Sequence, residues 1–237
     1  MFSGYIAAYS YHRIASDGFA DVFIILGPNH RGIGSGVSME PRDAWETPLG
    51  ITPIDKPLAE KLKGGIIDLD EIAHSISENS IEVQLPFLQY IKKPDSFSII
   101  PIAMAMQDLE TSKEVGDQIA EAIREEDRRI IIIASSDFSH EGAAYGRTPP
   151  RGIRVDEYVR ERDKLVIQHI EKLDPDALIK TVYREDVSMC GYGPVAALLQ
   201  AARKLGCSKV ELLKYGTSYD VSPESEACVG YGAFALS

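Results

Sequence analysis

The stretch Asp21-Val-Phe-Ile-Ile-Leu-Gly-Pro-Asn-His30 contains a short apolar run that stops at a Gly-Pro turn and is followed by a histidine. A continuous run such as Val22 to Leu26 is typical of a strand buried on both faces of a parallel sheet. Ligands of open α/β sheets bind outside the carboxyl ends of the strands. The sequence therefore predicts that His30 lies at this functional edge. The alternative is an ordinary hydrogen-bonded loop histidine.

A second segment has the same form. The run Ile130-Ile-Ile-Ile-Ala134 is followed by Ser135-Ser-Asp-Phe-Ser-His140, in which Asp137 precedes His140 by three residues. Because the carboxyl ends of parallel strands share one edge of a sheet, both histidines are expected at the same edge. A purely structural role in a loop is again the alternative.

The rest of the chain alternates between helical and extended patterns, with one ambiguous segment and one proline inside a strand. The segment 80–91 has helical apolar spacing, and Pro86 is expected to bend or break it near Val83. Pro101 is expected to place part of its strand at an edge or a bulge. Helices are predicted over 2–14, 55–63, 108–126, 155–173, from Asp174-Pro175 onward and over 195–204, and further strands over 96–105, 209–215 and 227–236. This order predicts a single α/β domain over 1–237, with a mostly parallel or mixed central sheet and helices on both faces.

Three glycines follow His30, at positions 32, 34 and 36. A dinucleotide-binding fingerprint requires such glycines between a strand and a helix, whereas here they lead into residues 37–50, which have the pattern of a hairpin or loop. We therefore reject a nucleotide site. Trp45 in this region is a candidate for lining a pocket, with a rim aromatic of no special role as the alternative.

Composition excludes several classes of function. The net charge is -11, and no concentrated basic face is visible, which argues against a nucleic-acid partner. The sequence shows no bilayer-spanning apolar run and no signal peptide pattern, so we expect a cytoplasmic protein without a membrane partner. An ordinary 44% of hydrophobic residues suits a globular domain.

The three cysteines form no CxxC pair, and their odd number disfavours a disulfide framework. Cys190 precedes a glycine turn at the start of a predicted helix, where the positive end of the helix dipole is expected to lower its pKa. This position makes Cys190 a candidate metal ligand or nucleophile. Cys207 and Cys228 are better explained as small buried residues.

Four sequence blocks carry a resemblance to a known family. In chain order they are Gly27-Pro-Asn-His30, Glu78-Asn-Ser-Ile-Glu-Val-Gln-Leu-Pro86, Ser135-Ser-Asp-Phe-Ser-His140 and Cys190-Gly. Together they resemble the Memo family, the Memo part of the AmmeMemoRadiSam group, over nearly the whole chain. The fold of that family is similar to that of LigB-type extradiol dioxygenases, which are class III non-haem iron enzymes. The resemblance thus implies an iron-type site at the carboxyl edge of the sheet, and partners with AMMECR-type or radical-SAM domains.

Carried over by position, the resemblance implies metal ligands at His30, at position 79 and at Cys190. The family usually has histidine at position 79, whereas this chain has Asn79. An amide oxygen is a harder and weaker ligand than imidazole for a late divalent metal. Whether the site holds a metal therefore depends on whether it can bind one with Asn79 in place of histidine. His74 could substitute if its segment is not a regular helix. Ferrous iron is the expected metal, with copper and zinc as alternatives.

The same resemblance implies that His140 acts as an acid or base supported by Asp137. Glu82 joins Trp45 as a candidate for the pocket wall. Members of the family usually carry a further strand and a Pro-His-Ala-Gly-Tyr-type segment before the residues that match 2–8. Either the gene start is short or the sheet lacks this strand. We therefore expect an uncovered sheet edge that favours pairing with another chain, including a homo-oligomer.

Three functions follow. The first is a redox or oxygenase-like metalloenzyme with Fe(II) at His30 and Cys190. The second is a Cys/His hydrolase that uses Cys190, His140 and Asp137. The third is a non-catalytic protein whose cleft binds a small molecule or a peptide. Asn79 favours the third function, because the histidine ligand that the family usually has at this position is absent. Fold alone does not determine function.

Overall fold

Residues 2–75, 78–223 and 226–237 are described by the computed structural model of the protein. The strands are β1 (Val22–Pro28), β2 (Val37–Met39), β3 (Ala44–Thr47), β4 (Gly50–Pro53), β5 (Asp68–Leu69), β6 (Ser98–Met104), β7 (Ile130–Ala134), β8 (His140–Glu141), β9 (Val210–Thr217) and β10 (Cys228–Leu236). The helices are α1 (Gly4–Asp17), α2 (Lys56–Leu62), α3 (Leu85–Ile91), α4 (Leu109–Arg124), α5 (Val155–Glu171), α6 (Pro175–Glu185) and α7 (Tyr192–Lys204).

Strand β1 is buried along its whole length inside a five-stranded sheet of order β5-β2-β6-β1-β7. It pairs in parallel with β6 and β7, while β2 runs antiparallel to β6. The continuous apolar run that begins at Val22 is explained by this position, since a central parallel strand has no solvent face. The predicted single α/β domain with a mixed central sheet and flanking helices is confirmed.

A second sheet, of order β8-β10-β9, is antiparallel. Helix α1 packs against β9 and β10, and α7 packs against α4 and on β1 and β7. The last two predicted strands therefore exist, but they pair outside the central sheet. None of the helices in the described ranges combines the length and the apolarity that crossing a bilayer requires.

Three helices begin at aspartates that cap them. Asp55, Asp108 and Asp174 each accept a hydrogen bond from the backbone N–H three residues later. Such caps satisfy amides that have no partner inside the helix. The predicted helix start at Asp174-Pro175 is confirmed.

The expected interruption near Val83 is present, because the α-helix begins only at Leu85, and Pro86 itself does not lie in a helix interior. Residues 82–84 form a 3₁₀ turn, and Pro86 stands in the first turn of α3, where its missing N–H would have no helical partner. The helical apolar spacing across this junction is nevertheless real, because Ile81, Leu85 and Leu88 are all buried.

Pro101 lies inside the sheet rather than at an edge or a bulge. It pairs with Ile25 of β1, and its carbonyl accepts a hydrogen bond from the N–H of Glu40 on the other side. Because β2 ends at Met39, the missing proline N–H faces the point where the neighbouring ladder stops. The expectation of a hairpin or loop over 37–50 is correct only for β3 and β4, since β2 is a buried strand of the central sheet.

Candidate functional site

A cleft of about 190 Å³ opens at the carboxyl ends of β1 and β7. The two strand ends that the sequence singles out do meet here. The polar side chains that line the cleft include His30, Asn79, Gln84, Ser136, Asp137 and Cys190.

His30 is oriented by Glu78. The Nδ1 atom of His30 lies 3.1 Å from Oε1 of Glu78, and the backbone N–H of His30 donates to Oε2 at 2.6 Å. A carboxylate beside Nδ1 favours the tautomer that carries its proton there, which leaves Nε2 as the nitrogen able to bind a ligand. The imidazole is half exposed, with 47% of its side-chain surface accessible, whereas Glu78 is buried.

The same carboxylate fixes the turn that carries Asn79. Oε1 of Glu78 accepts the N–H groups of Asn79 at 2.9 Å and of Ser80 at 2.8 Å. Burial raises the pKa of Glu78, but the hydrogen bonds from Ser80 and His30 outweigh burial and lower it below its usual value. Glu78 therefore remains ionised, and the exposed Asn79 side chain stands at the cleft on a turn of fixed backbone.

A chain of side-chain hydrogen bonds ties this turn to the strands. The hydroxyl of Ser135 donates to the carbonyl of Ser80 at 2.6 Å and accepts the amide of Gln84 at 2.8 Å. Tyr11 donates to the other end of the Gln84 amide at 2.6 Å. A Cβ atom on Gly27 would lie 2.6 Å from the Ser80 hydroxyl, so only glycine permits this approach.

Cys190 lies just before α7, with its sulfur 3.2 Å from the backbone nitrogen of Asp137. A Cβ atom on Gly191 would stand 2.7 Å from the carbonyl oxygen of Ser135, so glycine at 191 allows the cysteine segment to approach the end of β7. The expected low thiol pKa is wrong. Burial and the neighbouring Asp137 carboxylate raise the pKa of Cys190 to about 11, so the free thiol is protonated at neutral pH.

His140 does not line the cleft itself, but its ring lies next to Asp137, which does. Its Nε2 atom lies 3.6 Å from Oδ2 of Asp137, and its Nδ1 atom lies 3.0 Å from the carbonyl oxygen of Ser188. Burial opposes protonation, but the nearby Asp137 carboxylate and the carbonyl oxygen of Ser188 stabilise the protonated ring, and together they raise the pKa of His140 above its ordinary value. Within the described residues, no hydrogen bond joins His140 to Cys190.

His74 and Trp45 belong to a separate cluster. The rings of Trp45 and His74 meet edge to face at 5.7 Å, the indole N–H donates to the buried Glu40 carboxylate, and Nε2 of His74 lies 3.0 Å from the carbonyl oxygen of Ser38. Because that nitrogen is used and the ring is buried, His74 is not placed to replace a ligand at position 79. Trp45 is not among the residues that line the cleft.

Glu82 is exposed and is not among the residues that line the cleft. Its neighbour Gln84 faces the cleft instead, because residues 82–84 turn as a 3₁₀ helix. Sequence reasoning also gave no role to Glu78. Two features of the sequence point to Glu78. It is an acid next to the proposed ligand at position 79, and it lies in the longest of the four blocks that resemble the family.

The fold and cleft define an α/β protein with a mixed sheet and a polar cleft at the carboxyl ends of its central strands. The sequence model of the family described as Memo-like protein matches residues 1–235. The chain belongs to the Memo-like family, as its sequence blocks predict.

Named relatives support this assignment. A MEMO1 family protein of Methanosarcina acetivorans is 46% identical over 236 residues, which are 100% of this chain and 82% of the relative. A MEMO1 family protein of Methanothermobacter thermautotrophicus is 43% identical, and the match covers 98% of this chain and 79% of the relative. The crystal structure of the uncharacterized protein JW3007 from Escherichia coli K12 has a TM-score of 0.58 at 16% identity, and the match covers 94% of this chain and 91% of that one. This structural likeness shows a shared fold.

Proposed function

We propose that this Memo-family protein binds a divalent metal, with iron as the first choice, in the cleft at the carboxyl edge of the sheet. His30, Cys190 and the amide oxygen of Asn79 are the proposed ligands. The observation that carries the proposal is the arrangement of His30, whose Nδ1 is held by Glu78 while Nε2 remains available at a cleft that Cys190 and Asn79 also line. Histidine ligands of metals commonly use this carboxylate-supported arrangement.

These three donors suit a metal site in which some coordination positions remain open. Imidazole and thiolate suit iron, copper and zinc, and the amide oxygen adds a weaker third ligand. The described residues contain no cluster of three or more His, Cys, Asp or Glu side chains placed to hold a metal. The remaining coordination positions of the metal would therefore be filled by Asn79 or by solvent and substrate.

The chemistry that a bound iron supplies is redox or Lewis-acid chemistry. The protein itself contributes a pair of side chains beside the cleft that can hold and transfer a proton. Asp137 lines the cleft with its side chain 41% exposed, and His140 lies against it with a raised pKa. This pair is placed to accept or return a proton at the Asp137 carboxylate, while Glu78 maintains the orientation of His30.

A non-catalytic role in binding a small molecule or peptide is the second candidate, and a specific observation favours it. Asn79 replaces the imidazole that the family resemblance implies, and the residues that the structure describes form no cluster of three His, Cys, Asp or Glu ligands. A Cys/His hydrolase is disfavoured, since the raised pKa keeps Cys190 protonated and the described contacts of its sulfur involve residues 136 and 137 rather than His140.

Cobalt(II) titration tests the ligand set, because a cobalt–thiolate bond gives a strong charge-transfer absorption. We expect this absorption in the wild type and in Cys207→Ser, a matched control whose thiol lies outside the cleft. Cys190→Ser should abolish it, and His30→Ala should weaken cobalt binding about tenfold or more. Asn79→His should tighten binding. Unchanged absorption in Cys190→Ser would overturn the assignment.

A further inference from the structure

Several polar side chains that line the cleft are already bonded inside the protein. The hydroxyl of Ser80 donates to the carbonyl of Pro28 at 2.8 Å, and the hydroxyl of Ser136 donates to the carbonyl of Asp137 at 2.7 Å. The hydroxyl of Ser135 also donates to a backbone carbonyl. The donor of each of these hydroxyls is thereby used, so these serines shape the wall of the cleft and have no proton left to offer a ligand.

Tyr231 of β10 differs from these serines. It lines the cleft, only 8% of its surface is exposed, and its hydroxyl makes no hydrogen bond with any described residue. Among the described residues, the polar atoms that are both sealed from solvent and without a partner belong to Ser139 and Arg162, so the Tyr231 oxygen opens to the cleft. Because buried polar groups nearly always have a partner, this hydroxyl indicates a group available to a ligand.

The surrounding strand and helix hold the Tyr231 ring in place. Tyr231 belongs to an apolar cluster with Ile6, Val229 and Ala233, in which α1 packs on β10. In the ladder between β10 and β9, Tyr231 stands opposite Gly216. A ring that is fixed in this way has its hydroxyl directed before a ligand arrives, so less conformational entropy is lost on binding.

Tyr231 is a hydrogen-bond donor, and a carboxylate acceptor lies near it. Burial raises the pKa of the Tyr231 phenol, and the charge of Asp137 raises it further, so the phenol keeps its proton at neutral pH. Asp137 lines the same cleft. Its carboxylate lies 3.6 Å from the His140 ring, a contact that leaves most of its acceptor positions available.

The charge and size of the cleft limit what it can bind. Asp137 lines it, and no lysine or arginine does so among the described residues. An anionic group beside Asp137 would meet a like charge in a partly buried site. The volume of about 190 Å³ is below the range of about 300–1,000 Å³ that drug-sized ligands occupy. Ile6, Ala7 and Val83 add apolar contacts for the body of a small molecule.

We propose that Tyr231 orients the ligand of this cleft by donating a hydrogen bond to it, and that the ligand is a small uncharged molecule with a carboxamide-like group. Such a group accepts a hydrogen bond from Tyr231 and donates one to Asp137, so both side chains are satisfied without a charge on the ligand. This assignment rests on the proposed function only in placing ligand binding in the same cleft.

The test compares benzamide with benzoate, which has a similar shape and a negative charge. Ligand-observed NMR measures the affinity of both probes for the protein as purified. We expect benzamide to bind with a Kd below about 10 mM and benzoate to bind about tenfold more weakly or less. Tyr231→Phe should weaken benzamide binding about fivefold. Tyr215→Phe is the matched control and should retain wild-type affinity, because its hydroxyl is bonded to Asp163 outside the cleft.

Stability distinguishes a ligand-binding tyrosine from a structural one. Since the Tyr231 hydroxyl has no partner inside the described protein, Tyr231→Phe should leave the urea midpoint unchanged or raise it, whereas Tyr215→Phe should lower it. Equal losses of stability in the two variants would overturn the proposal. Absent benzamide binding, unchanged benzamide affinity in Tyr231→Phe, or benzoate that binds as tightly as benzamide would overturn it as well.

The metal site and the ligand assignment can fail separately. Cys190→Ser removes a proposed metal ligand and leaves Tyr231 and Asp137 in place. This variant should therefore lose the cobalt absorption and still bind benzamide with wild-type affinity. Loss of benzamide binding in Cys190→Ser would overturn the ligand assignment, whereas unchanged cobalt absorption would overturn only the metal ligands.

Discussion

At the scale of single residues, the cleft is governed by carboxylates next to the groups that could bind a metal. Glu78 holds the imidazole of His30, and Asp137 provides the N–H that contacts the sulfur of Cys190. Asp137 also brings its charge close to that sulfur and so raises the pKa of the thiol. A metal that replaces the thiol proton would relieve this unfavourable pairing of a carboxylate with a thiolate.

Metal affinity should consequently depend on pH. Because the pKa of Cys190 is about 11, each metal ion must displace one proton at neutral pH, and apparent affinity should rise about tenfold per pH unit from 6.5 to 8.5. Isothermal titration with zinc at three pH values measures this slope, and Cys190→Ser should reduce it. A wild-type affinity that does not change with pH would contradict thiolate ligation.

A second buried acid controls stability rather than binding. Asp163 is fully buried, accepts the N–H of Ser139 and the hydroxyl of Tyr215, and has a pKa raised to about 6 by burial. The folded state then binds more protons than the unfolded state between about pH 4 and 6, so this group's contribution to the free energy of unfolding falls as pH rises through that window.

Asp163→Asn should therefore flatten the pH dependence of stability between pH 4 and 6, by an amount on the order of 2 kcal/mol. Urea denaturation at several pH values provides the measurement, with the exposed Asp95→Asn as the matched control. The same pH profile in Asp163→Asn and wild type would show that Asp163 is not the titrating group.

At the scale of elements, local chemistry explains where helices begin better than where strands pair. The capping aspartate of α4 and the proline in the first turn of α3 both act within one helical turn, and their effects can be read from neighbouring residues. Strand pairing joins residues far apart in the chain, as the antiparallel contact of β2 with β6 shows.

Asp108→Ala should lower the free energy of unfolding by about 1 kcal/mol, because Asp108 accepts hydrogen bonds from both the backbone N–H and the hydroxyl of Thr111. Chemical denaturation measures the change. Glu110→Ala, an acid in the same turn that does not cap, should have a smaller effect. Equal losses would remove the capping explanation.

Pro86→Ala distinguishes a proline at a helix start from one that breaks a helix. In the first turn of α3 the substitution should lower the free energy of unfolding by less than about 1 kcal/mol, through the greater freedom of the unfolded chain. A gain of about 3 kcal/mol would indicate a helix interior instead. Leu88→Ala in the same helix should cost about 2–5 kcal/mol, because Leu88 is fully buried.

The sequence predicts most helices and strands, because the residues that determine them lie close together in the chain. The apolar runs at Val22 and Ile130 indicate strands because both faces are covered, and the Asp174-Pro175 pair indicates a helix start. The position of Pro101 inside the sheet cannot be predicted locally, because the sheet tolerates this proline only where β2 ends. That boundary is set by tertiary pairing and leaves no local signal.

At the scale of the whole molecule, the sheet order places the ends of β1 and β7 side by side and so forms the cleft. The strand ends predict His30 and His140 at one edge of the sheet, and of the two only His30 lines the cleft, where Asp137 of the second segment joins it. The direction of Glu82 and the separate environment of His74 and Trp45 depend on packing that spacing alone does not encode. The thiol pKa of Cys190 was likewise set by burial and by Asp137, which a sequence argument from the helix dipole omits.

The central claim is that the cleft binds metal through Cys190, and elemental analysis of anaerobically purified protein tests it most directly. Wild type and Cys190→Ala are supplied with Fe(II), desalted and measured for iron, copper and zinc. The account predicts near-stoichiometric metal in the wild type and a loss of that metal in the variant. Wild-type protein without metal after Fe(II) is supplied, or equal metal content in both proteins, would contradict it.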